Sequence, residues 1–238
     1  MSAKPRDDSI SETAHVLPDN WPSDVKFLTD YTYSDAVTPE LRTGLSRPCT
    51  DSEAWSKIFP EALGSPCPRV KILTINDVKH PACGQRGLFA SQQINPDALV
   101  IVYKGLVHTN SMSDTDAHSD YDLALDRELG LSVDGARAGN ESRFANDYRG
   151  IAERPNAEFR DCFVQVPCSK RAEGVKWERR VGIYVLSAGK AGKRKAGIRA
   201  GEEVLVNYGK GYWEGRKTVA SFRKDEDMLR IATLALEL

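Results

Sequence analysis

The sequence lacks any pair of cysteines with the spacing that holds a zinc ion. Its five cysteines are Cys49, Cys67, Cys83, Cys162 and Cys168. Their number is odd and none forms a C-x-x-C pair, so neither a disulfide framework nor a zinc knuckle is indicated. The four histidines are scattered along the chain and do not supply the missing ligands. We therefore expect bystander thiols, mostly buried, and no bound metal.

Other absences narrow the class of protein. No run approaches the ~18 continuous apolar residues that a membrane-spanning helix needs, and the first residues lack the apolar core of a secretory signal. The formal net charge of -1 argues against a protein whose whole surface grips nucleic acid, so a basic binding surface has to be local. The sequence predicts an intracellular protein, nuclear or cytoplasmic, with no membrane partner.

Short β-rich runs separated by glycine and proline dominate the chain from about Val70. The first, Val70–Ile75, alternates between apolar and polar residues, and Ala98–Tyr103 is nearly continuously apolar, which is typical of a buried strand. Later runs of the same kind cover 163–166, 181–186 and 203–208. Few long helices interrupt them, which argues against a parallel sheet built from βαβ units.

The two ends of the chain differ from this β-rich region. Residues 1–67 are predicted to form an N-terminal arm, loose at its start, with a helix near 51–63. Thr50 and Glu53 have the spacing of a capping box, and apolar residues then recur at helical intervals. Residues 214–238 are predicted to form a C-terminal helical segment, too apolar all round to be fully exposed.

The order and spacing of several motifs, rather than any single motif, indicate the function. A glycine turn, Gly84-Gln85-Arg86-Gly87, lets the backbone turn tightly and approach a ligand, but no G-x-G-x-x-G opens a helix, so a dinucleotide loop is a poor match. Six blocks follow the turn: Tyr103–Gly105, Tyr121–Leu125, Val133–Gly135, Gly139–Asp147, Pro155–Phe159 and Gly201–Gly209. In this order the series resembles the SET-domain protein lysine methyltransferase family over roughly residues 70–213.

The resemblance implies a fold and a site. The fold is a β-rich α+β SET-domain fold of short β-sheets with a knot-like core over residues 68–213, flanked by the N-terminal helical arm and the C-terminal helix. The implied cofactor is S-adenosylmethionine, with Tyr208 and Tyr121 as catalytic residues and Val206 and Tyr212 in the substrate channel. The residues matching the cofactor site are Arg86, Gly87, Tyr121, Arg143, Phe144, Asn146, Asp147, Tyr208 and Trp213.

The chemistry of lysine methylation explains why such groups are wanted. A lysine amine has a reference pKa of about 10.4, so at neutral pH it is mostly protonated and cannot attack. A narrow apolar channel beside a sulfonium favours the neutral amine, and an in-line approach makes positioning a large part of catalysis. A tyrosine hydroxyl at the channel end can orient the amine or act as a base, and the residues leave both roles open. The transfer itself requires no metal.

Three departures from the family pattern bear on function. Asn146-Asp147-Tyr148 replaces the family's N-H-S, and an insertion, Arg149–Arg154, precedes Pro155-Asn156. No cysteine follows Tyr208, so the zinc-binding post-SET segment of many histone enzymes is absent. The missing histidine leaves open a rival interpretation, a catalytically silent SET module that binds a protein or chromatin.

Two charged segments bear on the substrate. Six acidic residues lie between Asp114 and Glu128 with only Arg127 opposing them, and in this family that region borders the peptide groove. A protein substrate with a basic segment suits such a groove; a histone is the first candidate, and a ribosomal or other non-histone protein is the next. The basic segment Lys190–Arg199 is a candidate for chromatin contact or nuclear import. Solvated loops remain the alternative for both segments, and oligomeric state is left open.

Overall fold

A computed structural model describes residues 16–48, 55–167, 175–189 and 196–216. Within these ranges the protein consists of small β-sheets with few helices, which confirms the predicted β-rich fold class. The helical elements are α1 (Pro39–Gly44), two 3-10 turns (Pro60–Ala62 and Glu141–Phe144) and a helical segment over 210–216. The strands are β1 (Lys26–Phe27), β2 (Thr32–Tyr33), β3 (Ser46–Pro48), β4 (Lys57–Ile58), β5 (Val70–Thr74), β6 (Arg86–Ala90), β7 (Leu99–Val102), β8 (Leu106–Thr109), β9 (Asp122–Asp126), β10 (Leu131–Asp134), β11 (Ala138–Gly139), β12 (Asn146–Asp147), β13 (Ala157–Pro167), β14 (Val175–Val185) and β15 (Leu205–Val206).

The largest sheet is built on the antiparallel pair β13 and β14, with β3, β4 and β7 along its edges. Its inward-facing residues are apolar, and Cys162 and Ile183 have no exposed surface. Its charged residues are paired within the protein: Arg180 lies against Glu178 and Asp30, and Arg179 bonds Asp126 at 2.7 Å. Because these charges are paired, with Glu178 on the same strand and with Asp30 and Asp126 far along the chain, a strand rich in charge is stable here.

A second sheet, in the order β2-β8-β10-β9, carries one wall of the site. Val107 and Val133 face a buried cluster on one side, as the alternation of a strand requires. Gly105 leads into this sheet, and a Cβ at that position would collide with the Asp134 carbonyl. The motif glycine of Tyr103-Lys104-Gly105 therefore permits a close approach of two backbones.

The two distant blocks of the motif series meet in a two-stranded parallel pair. Asn146 pairs with Leu205 and Asp147 with Val206. The Asn156 side chain fastens this pair from the other side, since its Nδ2 donates to the Glu203 carbonyl at 2.7 Å and its Oδ1 accepts from the Leu205 amide at 2.8 Å. This arrangement brings the N-terminal half of the candidate site and Tyr208 to one place.

The predicted helix near 51–63 is wrong over the residues that the structure describes. Residues 57–58 form strand β4 beside β13, and 60–62 form a 3-10 turn. Tertiary packing overrides the helical spacing because the Trp55 ring packs on Phe163 at 4.4 Å. Four short strands from the first 67 residues, β1 to β4, also join sheets formed by later strands. The division at 67/68 stays a prediction.

The rest of the end segments is described only in part. Residues 210–216 are helical, and most of the predicted C-terminal segment, 217–238, lies outside the described residues, as do 1–15. No helix among the described residues is long and apolar enough to cross a membrane.

Candidate functional site

Two adjoining cavities lie beside the β12–β15 pair. The larger has a volume of about 750 Å³ and the narrower about 260 Å³. Their walls have five residues in common: Asp120, Tyr121, Arg143, Tyr208 and Tyr212. Nine predicted site residues line the larger cavity, namely Arg86, Tyr121, Arg143, Phe144, Asn146, Asp147, Tyr208, Tyr212 and Trp213. The site is therefore two chambers that meet at a wall rich in tyrosine.

Tyr208 lies at the junction of the two cavities, and a hydrogen bond fixes the orientation of its hydroxyl. The hydroxyl donates to the Ala145 carbonyl at 2.8 Å, and the Tyr208 amide donates to Asp147 Oδ2, also at 2.8 Å. Burial, assisted by neighbouring tyrosines and by Asp147, raises the pKa of Tyr208 well above its ordinary value. The phenol of the free protein is thus protonated at neutral pH, with its oxygen lone pairs available as acceptors.

Arg143 supports Tyr121 and has little freedom to bind a ligand. Its Nε donates to the Gly135 carbonyl at 2.8 Å and its Nη2 to the Ala136 carbonyl at 3.1 Å. Its guanidinium carbon lies 4.2 Å from the centroid of the Tyr121 ring. The Tyr103 hydroxyl holds the Tyr121 backbone from the other side, donating to its carbonyl at 2.7 Å. Tyr121 is therefore fixed by ring stacking and by its own backbone.

The glycine turn forms the opposite wall of the larger cavity. Gly84 has φ +82°, a left-handed conformation that glycine adopts without strain. Among the described residues, Arg86 is the one arginine of this cavity whose guanidinium has neither an ion pair nor a hydrogen bond, because Arg143, Arg149 and Arg216 are all engaged. Arg86 therefore presents an available positive charge.

Glu203 fastens this turn to the β12–β15 pair. Its Oε1 accepts from Asn146 Nδ2 at 2.8 Å, and its Oε2 lies 3.1 Å from His80 Nε2. The Ala82 amide donates to His80 Nδ1 at 3.0 Å, so the imidazole proton resides on Nε2 and points to Glu203. Gly87 leaves room for this carboxylate, since a Cβ there would lie 2.7 Å from Glu203 Oε1. Gly87 thus serves packing behind the cavity and does not line it.

Three aromatic rings form the outer wall. The Tyr208 and Tyr212 ring centroids are 4.9 Å apart, and those of Tyr212 and Trp213 are 5.3 Å apart, both in edge-to-face arrangements. Trp213 faces only the larger cavity, whereas Tyr212 faces both. Phe144 lies deeper and packs edge-on against Trp21 at 5.7 Å.

The narrower cavity is walled by aromatic and small apolar residues. Besides the shared residues it is lined by Tyr103, Asp122, Leu123, Ala124, Ser142, Ala145 and Phe159. Val206, predicted to set the channel width, has no exposed surface and belongs to the main buried cluster, so it does not line this cavity. Phe159 and Leu123 occupy the wall instead.

Three polar residues of the larger cavity were not predicted: His80, Arg149 and Arg216. A fourth, Asp120, was predicted only as part of the acidic segment beside the peptide groove. Arg149 could have been recognised from the sequence, because it is the first residue of the insertion that follows the Asn146–Tyr148 motif. Arg216 lies four residues after Tyr212, one helical turn, and pairs with Asp120. His80 carried no signal, because only the fold brings it to Glu203.

Most carboxylates of the acidic segment 114–128 have hydrogen-bond or ion-pair partners elsewhere in the protein. Asp114 accepts from Ser34 and Thr109, and Asp126 pairs with Arg179. Asp122 Oδ1 lies 3.1 Å from His108 Nε2. Of the acidic residues, Asp120 and Asp122 are the ones that reach the narrower cavity. The predicted acidic groove is therefore smaller than the sequence indicates. Residues 190–195 of the basic segment lie outside the described part of the chain.

Comparisons with known proteins find likeness in structure alone. No model of a protein family matches the chain, and no curated protein matches it. The structure of the Chaetomium thermophilum Polycomb Repressive Complex 2 is 25% identical, with a TM-score of 0.42, over 63% of this chain and 16% of that chain. A ctPRC2 structure in an autoinhibited conformation bound to S-adenosylmethionine is 23% identical, with a TM-score of 0.44, over 68% of this chain and 18% of that chain. A third, an active polycomb repressive complex 2 in the stimulated state, is 24% identical with a TM-score of 0.41, over 63% and 16%. The chain thus spans less than a fifth of the length of each of these three chains.

Proposed function

We propose that the protein is a SET-type methyltransferase that transfers a methyl group from S-adenosylmethionine to a lysine side chain of another protein. The observation that carries this proposal is the pair of unequal cavities meeting at Tyr208 and Tyr121. Two reactants that enter separate chambers and meet at one wall are held in a fixed relative orientation, which is what an in-line transfer requires.

The larger cavity suits S-adenosylmethionine in size and in chemistry. Its volume of about 750 Å³ is in the range of cofactor sites, roughly 300–1,000 Å³. Arg86 offers a charge for the carboxylate, and Trp213 and Phe144 offer flat apolar surfaces for the adenine ring. When bound, this cofactor supplies an electrophilic methyl group carried by a sulfonium.

The narrower cavity suits a lysine side chain. The rings of Tyr103, Tyr121, Phe159, Tyr208 and Tyr212 surround an alkyl chain and attract its terminal cation. The sulfonium of a bound cofactor would disfavour a second positive charge at the junction and so would favour the neutral amine. Because the Tyr208 hydroxyl proton is directed to the Ala145 carbonyl, the Tyr208 oxygen can accept an N–H of the neutral amine. In the free protein burial raises the pKa of Tyr208, so the neutral phenol is the form that we propose orients the amine.

A protein substrate is supported by the position of β9. This strand lines the narrower cavity through Leu123 and Ala124, and among the described strands it pairs with β10 alone. Its second edge offers backbone donors and acceptors to an extended peptide. The narrower cavity is lined by two carboxylates, Asp120 and Asp122, and by one guanidinium, Arg143. This excess of negative charge favours a substrate with basic residues near the target lysine, of which a histone tail is our first candidate and a ribosomal protein the second.

Calorimetric titration with S-adenosylmethionine tests the cofactor assignment. We expect the wild-type protein to bind, and Arg86→Gln to bind about tenfold or more weakly, because hydrogen bonds between charged groups contribute about 1.5–3 kcal/mol. Arg127→Gln, an exposed arginine away from both cavities, serves as the matched control. A folded wild-type protein with no affinity for the cofactor would favour the silent binding module over the enzyme.

A further inference from the structure

Asp147 stands where the family motif has a histidine, and its carboxylate collects four N–H groups. Oδ2 accepts from the Tyr208 amide at 2.8 Å and faces Trp213 Nε1 at 3.3 Å. Arg149 approaches both oxygens through Nη1, at 3.0 and 3.2 Å, and its own amide donates to Oδ1 at 2.9 Å. One side chain thus joins the β12 strand, the residue at the cavity junction and the helical segment 210–216.

The number and kind of donors require a carboxylate. The Asp147 side chain is 5% exposed, and a buried charge is stable only when it is paired and hydrogen-bonded. An ionised carboxylate has about four acceptor sites, which matches the N–H groups that surround it. A neutral imidazole has one acceptor nitrogen and could not replace these contacts.

Arg149 completes the arrangement and comes from the insertion that distinguishes this chain. Its guanidinium carbon lies 5.6 Å from the Trp213 ring centroid and 5.2 Å from that of Tyr148, within the range of cation–π attraction. Arg149 is therefore held between the Asp147 carboxylate and the Trp213 indole. In this chain the insertion thus supplies the positive charge that faces the carboxylate standing in place of the histidine.

We infer that Asp147 and Arg149 form a clamp that positions Tyr208 and Trp213. In terms of the proposed function, on which this inference rests, Asp147 is a positioning residue that couples the aromatic wall of the cofactor cavity to the tyrosine at the point of transfer. The helical segment 210–216 is held at a second point by Asp120, which contacts Tyr212 and Arg216. Loss of the clamp therefore frees Trp213 without detaching the whole segment.

Indole and amide hydrogen exchange test the clamp without any assay of activity. The chain has four tryptophans and eight tyrosines, so labelling with ¹⁵N-tryptophan and ¹⁵N-tyrosine makes the indole and tyrosine amide N–H signals visible. Trp213→Phe and Tyr208→Phe identify the two signals of interest. In Asp147→Asn and Asp147→Ala we expect the Trp213 signal to shift, and exchange of the Trp213 indole and Tyr208 amide protons to accelerate about tenfold or more. Arg149→Ala should shift the Trp213 signal as well, whereas Arg154→Ala, an exposed arginine of the same insertion, should not.

The rate of methyl transfer provides a second test of the clamp. Since a misplacement of about 1 Å can cost roughly 100-fold in rate, Asp147→Asn should lower kcat by about that factor and should also weaken cofactor affinity through Trp213. Unchanged Trp213 and Tyr208 signals in folded Asp147→Asn and Asp147→Ala proteins would overturn the clamp. A wild-type protein with no methyl transfer would instead overturn the proposed function, and the exchange rates would still decide whether the clamp exists.

Discussion

Replacing Asn146 by alanine is expected to loosen the wall of the larger cavity. The Asn146 Nδ2 donates to Glu203 Oε1 at 2.8 Å and approaches the Arg86 carbonyl at 3.4 Å. The alanine variant leaves the Glu203 carboxylate, whose side chain is 10% exposed, with His80 as its remaining side-chain partner in the described structure. The turn that carries Arg86 then loses its tie to β12.

The size of the effect follows from these two contacts. A hydrogen bond to a charged group contributes about 1.5–3 kcal/mol to the free energy of unfolding, whereas a contact of 3.4 Å is near the outer limit and adds little. For a chain of this size each kcal/mol shifts Tm by about 2–4 °C. We therefore expect Tm to fall by roughly 3–12 °C, measured by circular dichroism.

Cofactor affinity should fall together with stability, because Arg86 is no longer held at the cavity wall. Titration calorimetry on Asn146→Ala, at a temperature where it stays folded, should show affinity for S-adenosylmethionine about tenfold weaker, the equivalent of about 1.4 kcal/mol. Asn76 is an exposed asparagine in the loop between β5 and β6, so Asn76→Ala is the control and should change neither Tm nor cofactor affinity. If Tm and affinity in Asn146→Ala equal those of the wild type, Glu203 does not depend on Asn146 and the account of this wall fails.

Three further predictions concern parts of the chain outside this wall. Burial alone would lower the pKa of His108, but the Thr109 carbonyl and the Asp122 carboxylate outweigh burial and raise this pKa above its ordinary value. Protonated His108 therefore stabilises the folded protein. This stabilisation is complete below the unfolded pKa of about 6.5 and is lost as pH rises through the folded pKa. Urea unfolding of the wild type against His108→Gln should show their difference in stability shrinking from pH 6 upward, and a constant difference would refute the charged imidazole. Prolonged chelation should leave methyl transfer unchanged, because the cysteine spacings offer no closed tetrahedral site, and activity that disappears and returns with added zinc would contradict this. Changing Lys193, Arg194 and Lys195 together to alanine should leave methyl transfer to a short peptide nearly unchanged. Activity on nucleoprotein or nuclear accumulation should fall, since phosphate attraction depends on these charges. An equal loss of activity on the peptide would place this segment in the active site.

Much of the fold was predictable where the apolar pattern is local. The strand β7 follows from the continuous apolar run at 99–102, and β5 follows from alternation at 70–74. The first halves of β13 and β14 were not predicted, because residues such as Arg179 and Glu178 look like surface charges until their distant partners, Asp126 and Tyr33, are known. The helical spacing near 51–63 gave a wrong prediction over the described residues, because pairing of Ile58 with Val164 decides the local conformation.

The site was predictable to the extent that single motifs carry it. Tyr208 and Asn146 lie at the cavities because the blocks that contain them meet in the β12–β15 pair, and Tyr121 reaches the cavities from the residue before β9. Val206 was misplaced because spacing from Tyr208 does not show on which side a short strand buries its residues. His80 was missed, and the contact of Asp120 with the larger cavity was not predicted, because their partners, Glu203 and Arg216, are about a hundred residues away in sequence. Their contribution depends on the fold and on no local pattern.

The central claim is that Tyr208 stands where a methyl group passes from S-adenosylmethionine to a lysine. The most direct measurement is transfer of a labelled methyl group to histones and to ribosomal proteins by the wild type, Tyr208→Phe and Tyr184→Phe, all confirmed as folded by circular dichroism. Tyr184 is a buried tyrosine whose hydroxyl contacts Ser56, outside both cavities, so it controls for the loss of a buried hydroxyl. The account predicts labelled lysine with the wild type and Tyr184→Phe, and a loss of most transfer with near-normal cofactor affinity in Tyr208→Phe. Turnover in Tyr208→Phe equal to that of the wild type would contradict it.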